Sequence, residues 1–280
     1  GQVSLERVEE ILNNEPRIKD KHNAVKITKP ITGKLEAKNL SLRYEGYSRK
    51  ILNKISFTIK PSEIVALVGP VGCGKTTLAK ALGRMVEVEE GTLFLDDYDV
   101  TDLKLTDLRS NIALVPQEGY LFTETLIDNI RYGNPEASIR EVKESAYEAR
   151  MSEDIKGFPD GFETLVGERG ITLSGGQRQR TALSRALLVN SKIIVLDDAL
   201  ASVDNKTASA ILQTIKNQFN KTVLMISHQL SAAAACDRIL VMNDGKIVQE
   251  GTHRNLIKRD GLYKSMWERE KAKEQIQSYN

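Results

Sequence analysis

Val65-Ala66-Leu67-Val68-Gly69-Pro70-Val71-Gly72-Cys73-Gly74-Lys75-Thr76-Thr77 decides how the rest of this chain is read. Four apolar residues predict a buried parallel strand, a glycine-rich turn follows, and Leu78-Ala79-Lys80-Ala81-Leu82 continues a helix. Gly69 to Thr76 fits G-x-x-x-x-G-K-[ST], the phosphate-cradling loop, with the strand before it and the helix after it that the motif needs. A Cβ would block both the strained turn and the approach of backbone N–H groups to phosphate oxygens. Those N–H groups lie at a helix N-terminus, where the dipole favours anions. Lys75 adds a positive charge against the β- and γ-phosphates, and the Thr76 hydroxyl is a ligand for Mg²⁺, which prefers oxygen donors and keeps several waters.

The chain around this stretch has 280 residues, 40% apolar and 28% charged, which is ordinary for a globular protein. Its net charge of +2 makes no electrostatic case for nucleic acid. No apolar run approaches the roughly 20 residues that cross a bilayer. The opening residues carry no signal-peptide pattern. Cys73 lies inside the phosphate loop, so a disulfide with Cys236 would distort the cradle; sparse cysteine fits a reducing compartment. The position of Cys73 makes it a candidate for alkylation.

Upstream, Val3, Leu5, Val8, Ile11 and Leu12 predict a loose amphipathic helix over 2–14, ended by Pro16. Residues 17–33 are polar, mixed and basic and read as a linker. A helix followed by a linker is expected to continue from something upstream. Lys34–Ala37, Leu40–Tyr44 and Ile55–Ile59 alternate as strands. Pattern alone leaves Tyr44 open between a strand-end residue and a ring on which a nucleobase stacks.

Downstream, Gly91 to Tyr98 reads as one strand and Leu105 to Ser110 as a short helix. Ile112–Val115 reads as a second buried strand ending at Pro116-Gln117, and a polar residue at such a strand end lies where open α/β sheets bind ligands. Residues 124–165 read as a helical insertion, with helices over Thr125–Tyr132, Ile139–Met151 and Ser152–Lys156. Ser174 is an N-cap candidate for a helix whose apolar face carries Ala182, Leu183, Ala186 and Leu187. Leu173-Ser174-Gly175-Gly176-Gln177 is thus a second glycine-opened helix start suited to an anion, or simply a capped one. Ile193–Leu196 followed by Asp197-Asp198 reads as a buried strand delivering a carboxylate to the sheet edge, the acidic partner of a phosphate loop. Thr222–Ile226 is a further strand, ending in Ser227-His228; a histidine there hydrogen-bonds phosphate or water, or is structural. Asn243-Asp244-Gly245 marks a hairpin, and residues 254–280 read as mostly helical with a charged tail.

Over roughly residues 35–265 the chain resembles the nucleotide-binding domain of ABC transporters, and among them the exporters. The resemblance rests on motifs in the family's order: the phosphate loop at 69–76, the Q-loop Gln117, the signature 173–177, Walker B at 193–197, a D-loop ending at Asp204, and the switch histidine His228. Val166-Gly167-Glu168-Arg169-Gly170 looks like the exporter X-loop, which in that family touches the membrane domain. The fold so implied is α/β, a P-loop NTPase (RecA-like) core with an antiparallel β subdomain and an inserted α-helical subdomain at about 118–177. The domain would span 34–265, with 1–33 a linker after a transmembrane domain outside this chain and 266–280 a helical tail.

The resemblance implies ATP contacts at Tyr44, Gly69, Gly72, Cys73, Gly74, Lys75, Thr76 and Thr77. Across a head-to-tail pair, Ser174, Gly175, Gly176 and Gln177 would face the γ-phosphate of the other subunit. Mg²⁺ would lie on Thr76, Gln117 and Asp197, and the hydrolytic residues would be Asp198, His228 and Gln117. The implied partners are the chain's own transmembrane domain and a second nucleotide-binding domain, at the cytoplasmic face of a membrane, without nucleic acid. The competing expectations are a nucleotide-gated regulatory half with little hydrolysis and a soluble ABC ATPase acting on nucleic acid.

One position departs from the family. Where a glutamate usually follows the Walker B aspartate, this chain has Asp198, one methylene shorter. Misplacement on the scale of about 1 Å costs roughly 100-fold. The expectation is a chain that binds ATP well and hydrolyses it slowly, resembling the degenerate half of a heterodimeric exporter. Ala201-Ser202-Val203-Asp204 also differs slightly from the commoner D-loop, and Gln229 stands where exporters often have arginine.

Overall fold

A computed structural model describes residues 7–9, 13, 15–167 and 171–277. Most of the helix expected over 2–14, and Glu168, Arg169 and Gly170 of the X-loop, lie outside the described residues.

Strands β1 (Leu35–Leu42), β2 (Leu52–Ile59) and β3 (Ile64–Val68) lead through the glycine turn into α1 (Lys75–Leu82). Then come β4 (Leu93–Leu95), β5 (Tyr98–Asp99), α2 (Leu105–Asn111) and β6 (Ile112–Val115). The inserted stretch holds β7 (Glu124–Thr125), α3 (Leu126–Arg131), α4 (Ile139–Glu148), α5 (Ser152–Lys156) and β8 (Leu165–Val166). The chain returns through α6 (Gly175–Leu188), β9 (Ile193–Asp197), α7 (Asn205–Phe219) and β10 (Thr222–Ile226). It finishes with α8 (Leu230–Ala233), β11 (Arg238–Asn243), β12 (Lys246–Gly251), α9 (His253–Leu256) and α10 (Leu262–Gln277).

Among the described residues, one sheet has the order β12-β11-β3-β10-β9-β6. Its strands run parallel except β12, which pairs antiparallel with β11. All five residues of β3 are buried. Their alternation splits them between two cores: Ile64, Ala66 and Val68 face the helical side, Val65 and Leu67 the side of the second sheet. A strand buried on both faces must be apolar throughout, which is why it reads as a run rather than an alternation. Each valine, leucine or isoleucine among them contributes about 1.5–3 kcal/mol on burial. The second sheet, β2-β1-β4-β5, is antiparallel and packs over α1. An α/β core, an antiparallel β subdomain and a helical insertion are therefore all present, as expected.

Local readings differ in two places. The two strand pieces expected at 34–44 are one strand with an irregularity between Ala37 and Leu40, where Asn39 takes φ 50° and donates its N–H to Ser56 Oγ at 2.9 Å. The single strand expected over 91–98 is a hairpin. Asp96 turns it with φ 52°, and its carboxylate accepts the N–H groups of Thr32, Gly33 and Lys34 at 2.6–3.0 Å. Those bonds also fasten the end of the linker-like segment. Val25 pairs with Leu103, and the Asp107 carboxylate accepts the Ile27 N–H, so residues 25–34 are fastened from the start of α2 to the β4–β5 turn.

Candidate functional site

Parallel strands pointing the same way deliver their C-terminal ends to one edge, and this edge collects the sequence-marked residues. β3 ends just before Gly69, β9 at Asp197, β10 just before Ser227-His228, and β6 just before Pro116-Gln117. Gly69 must lack a side chain, because a Cβ would lie 2.1 Å from the Met242 carbonyl oxygen of β11. Lys75 is buried, and its Nζ donates to the carbonyls of Gly69 (2.8 Å) and Pro70 (2.9 Å), so the ammonium hangs across the loop it would share with a phosphate. Thr76 Oγ1 donates to Asp197 Oδ1 at 3.2 Å. Burial pushes the Asp197 carboxyl up, and the neighbouring Asp198 charge adds to this against the Thr76 hydrogen bond. A cation would reverse that balance.

Asp198 is also buried, with φ 53°, a left-handed backbone that aspartate tolerates better than most side chains. Its Oδ1 accepts the backbone N–H of His228 (3.2 Å) and its Oδ2 the Gln117 side-chain amide (3.4 Å). The short carboxylate thus ties the Q-loop to the switch loop, while the His228 ring itself is exposed. Gln229, without an explanation in the sequence, donates its amide to the Ala201 carbonyl at 3.0 Å and so links the switch loop to the D-loop. Asp204 at the end of the D-loop caps α7 through the N–H groups of Lys206 and Thr207.

Tyr44 is half-buried, with its Oη 3.4 Å from Thr77 Oγ1 at the start of α1. It borders a surface cavity of about 730 Å³ with Tyr47, Val86 and Arg17. Arg17 pairs with Glu45. Cys73 is 6% exposed and burial pushes its thiol up against the nearby Lys75 charge, so both burial and the shift work against the alkylation expected from its position.

The signature residues stand apart from this cluster. Ser174 and Gln177 form a capping box: Ser174 Oγ accepts the Gln177 N–H at 3.2 Å and Gln177 Oε1 the Ser174 N–H at 2.9 Å. Ser174 and Gly175 are exposed. Gly176 lies against the D-loop, where a Cβ would sit 3.0 Å from the Ser202 carbonyl oxygen. The Gln177 amide donates to Asp154 Oδ1 at 3.2 Å.

Two groups escaped the sequence reading. Asp154 of α5 holds the Arg180 guanidinium through Nε (3.0 Å) and Nη2 (2.7 Å) as well as Gln177, with Arg180 and Asp154 both mostly buried. Nothing in the local pattern marks Asp154. Gln179, 7% exposed, donates to the carbonyls of Gln117 (3.3 Å) and Asp198 (3.4 Å) and accepts from the Ser202 N–H (3.0 Å). A signal was available there: residue 179 precedes Ala182 and Ala186 at helical spacing, so a polar side chain was entering an apolar face.

Residues 52–201 match the family described as ABC transporter. The chain is 38% identical over 271 residues to ATP-binding cassette sub-family B member 6 of Xenopus tropicalis, covering 96% of this chain and 32% of that protein. It is 38% identical to the probable multidrug resistance ABC transporter ATP-binding/permease protein YheI of Bacillus subtilis, covering 96% of this chain and 46% of that one. A solved bacterial Atm1-family ABC exporter with ATP bound superposes with a TM-score of 0.90 at 35% identity, over 96% of this chain and 47% of that one. The chain thus spans between about a third and a half of the curated relatives it matches. Motif order, sheet-edge geometry and these similarities agree: the chain belongs to the ABC transporter family and carries its ATP-binding ATPase domain.

Proposed function

We propose that this chain is the motor domain of an ABC exporter, closing on a second nucleotide-binding domain around MgATP to drive transport. The observation that carries the reading is the convergence of Lys75, Thr76, Asp197, Asp198, Gln117 and His228 on one sheet edge, with the exposed Ser174 helix start set apart. Tyr44 stacks on adenine. The backbone N–H groups of Gly72, Cys73 and Gly74 surround the β-phosphate, with Gly69 opening the turn and Thr77 holding Tyr44. Lys75 exchanges its two carbonyl acceptors for phosphate oxygens.

The donor set suits Mg²⁺: a hydroxyl and a carboxylate oxygen 3.2 Å apart on Thr76 and Asp197, with the Gln117 amide on the same edge. Bound there, Mg²⁺ supplies neutralisation of the phosphate charge. Asp198 orients the water that attacks the γ-phosphorus; the bond to the β–γ bridging oxygen breaks, leaving ADP and phosphate. The His228 ring contacts the γ-phosphate. Asp198 is short and already engaged by Gln117 and His228, which supports slow hydrolysis at this site and a different half-transporter as the partner. Ser174, Gly175, Gly176 and Gln177 act on ATP held by that partner. The exposed Tyr120 and Tyr132, flanking Phe122 at ring distances of 5.2 and 4.7 Å, suit docking of the chain's own transmembrane domain. That assembly sets the domain at the cytoplasmic face of the membrane, with 34–265 as the motor unit. Among the described residues, no helix is long and apolar enough to cross a membrane.

Replacing Asp198 with glutamate tests the hydrolytic part. Asp198→Glu is expected to raise single-turnover ATP hydrolysis roughly 10- to 100-fold with MgATP affinity unchanged. Turnover equal to the wild type would overturn the role given to Asp198, and a wild-type chain that binds no MgATP would overturn the whole reading.

A further inference from the structure

The switch loop has a support outside the sheet edge. α8 follows His228 after a single residue and spans only Leu230–Ala233. So short a helix is marginal by itself, and its first N–H groups have no acceptor within the helix. Gln229, in the capping position, makes no side-chain cap; its Nε2 donates to the Ala201 carbonyl. The acceptor comes instead from α10. Glu270 Oε2 accepts the Leu230 N–H at 2.9 Å and Oε1 the Ser231 N–H at 3.0 Å. A carboxylate is the favoured partner there, because the helix start carries partial positive charge.

The support is itself anchored. Tyr263 is fully buried, its Oη bonded to His253 Nδ1 at 2.8 Å and its N–H donated to Gln249 Oε1 at 2.9 Å. Met266 packs against the core. Tyr263, Met266 and Glu270 are spaced i, i+3, i+7 and share one face of α10. A surface cavity of about 380 Å³ is lined by α10 and the segment 228–231, and the two Glu270 hydrogen bonds cross between them. On its other side the His228 N–H is held by Asp198.

We propose that Glu270 is a positioning residue for the switch histidine: by capping α8 it fixes the loop that carries His228, and so makes the hydrolytic rate depend on the C-terminal helix. The proposal rests on the role given above to His228. Five forms of the chain separate the two: wild type, Glu270→Ala, Glu270→Gln as the conservative replacement, His228→Ala and the Glu270→Ala/His228→Ala double variant. Single-turnover hydrolysis, MgATP affinity and amide hydrogen exchange at 230–231 are measured on each. Glu270→Ala is expected to lower the hydrolytic rate about tenfold with affinity held within about twofold, to speed exchange at Leu230 and Ser231, and to add nothing to His228→Ala. Glu270→Gln keeps an acceptor oxygen and is expected to recover most of the rate. A wild-type rate in Glu270→Ala beside a slow His228→Ala overturns the proposal alone. Wild-type rates in both overturn the role of His228 as well. A loss of rate that is additive with His228→Ala, matched by an equal loss of affinity, or not recovered by glutamine overturns positioning.

Discussion

The two glycine-opened helix starts of this molecule are built in different ways. At the phosphate loop, α1 follows a strand buried on both faces between β10 and β11, and the loop presses on β11 so closely that Gly69 admits no side chain. At the signature, α6 starts on exposed residues, capped by its own side chains and registered to its neighbours by polar links: Asp154 to Gln177 and Arg180, and Gln179 to Gln117, Asp198 and Ser202. The far end of α6 is held in the same manner. Lys221, buried so that its pKa falls to about 8, donates to the carbonyls of Val189 and Ser191 at 2.9 and 2.6 Å. Sheet packing fixes one site; at the other the body of α6 is packed in the core, and directional bonds register its exposed start. The lesson is a division of labour. On the proposed function, the sheet-edge site would be preformed for the nucleotide, and the signature would be the element that responds to loss or gain of a phosphate contact.

That contrast can be broken at either side. The largest effect is expected at the rigid site. Lys75→Ala removes the ammonium bonded to the Gly69 and Pro70 carbonyls and should weaken MgATP binding at least about 100-fold by calorimetry, about 2.7 kcal/mol, without unfolding the chain. Micromolar affinity retained in that variant would remove the phosphate-loop assignment. A smaller and different effect is expected at the signature. Asp154→Ala strips Gln177 and Arg180 of a shared acceptor and leaves the mostly buried guanidinium without it, so thermal stability should fall by about 1–3 kcal/mol while MgATP affinity stays unchanged. Equal affinity losses in the two variants would mean that the sites are not built independently.

What the residues made readable follows the same contrast. The phosphate loop was legible because strand, glycine turn, Lys75 and Thr76 are adjacent in the chain, and local chemistry suffices to relate them. The signature was legible as a capped helix start, but residues alone left it there, and the family resemblance supplied its expected ligand. The links between loops were not legible. Asp154 meets Arg180 across 26 residues and Glu270 meets Leu230 across 40, and no local pattern carries such a pairing. The hairpin at 91–99 was hidden for a related reason. Its turn is held by N–H groups of Thr32, Gly33 and Lys34, so the deciding contacts lie far upstream. Gln229 gained a role only when Ala201 was found beside it.

The most direct test of the central claim, that the two helix starts serve different nucleotides, is calorimetric titration of MgATP into dilute Ser174→Arg, paired with sedimentation of the same samples. None of the hydrogen bonds of Ser174–Gln177 among the described residues reaches 69–77. The account predicts MgATP affinity equal to the wild type and loss of the association with a second nucleotide-binding domain that MgATP induces. Affinity falling in the monomer, or association surviving the arginine, would contradict it.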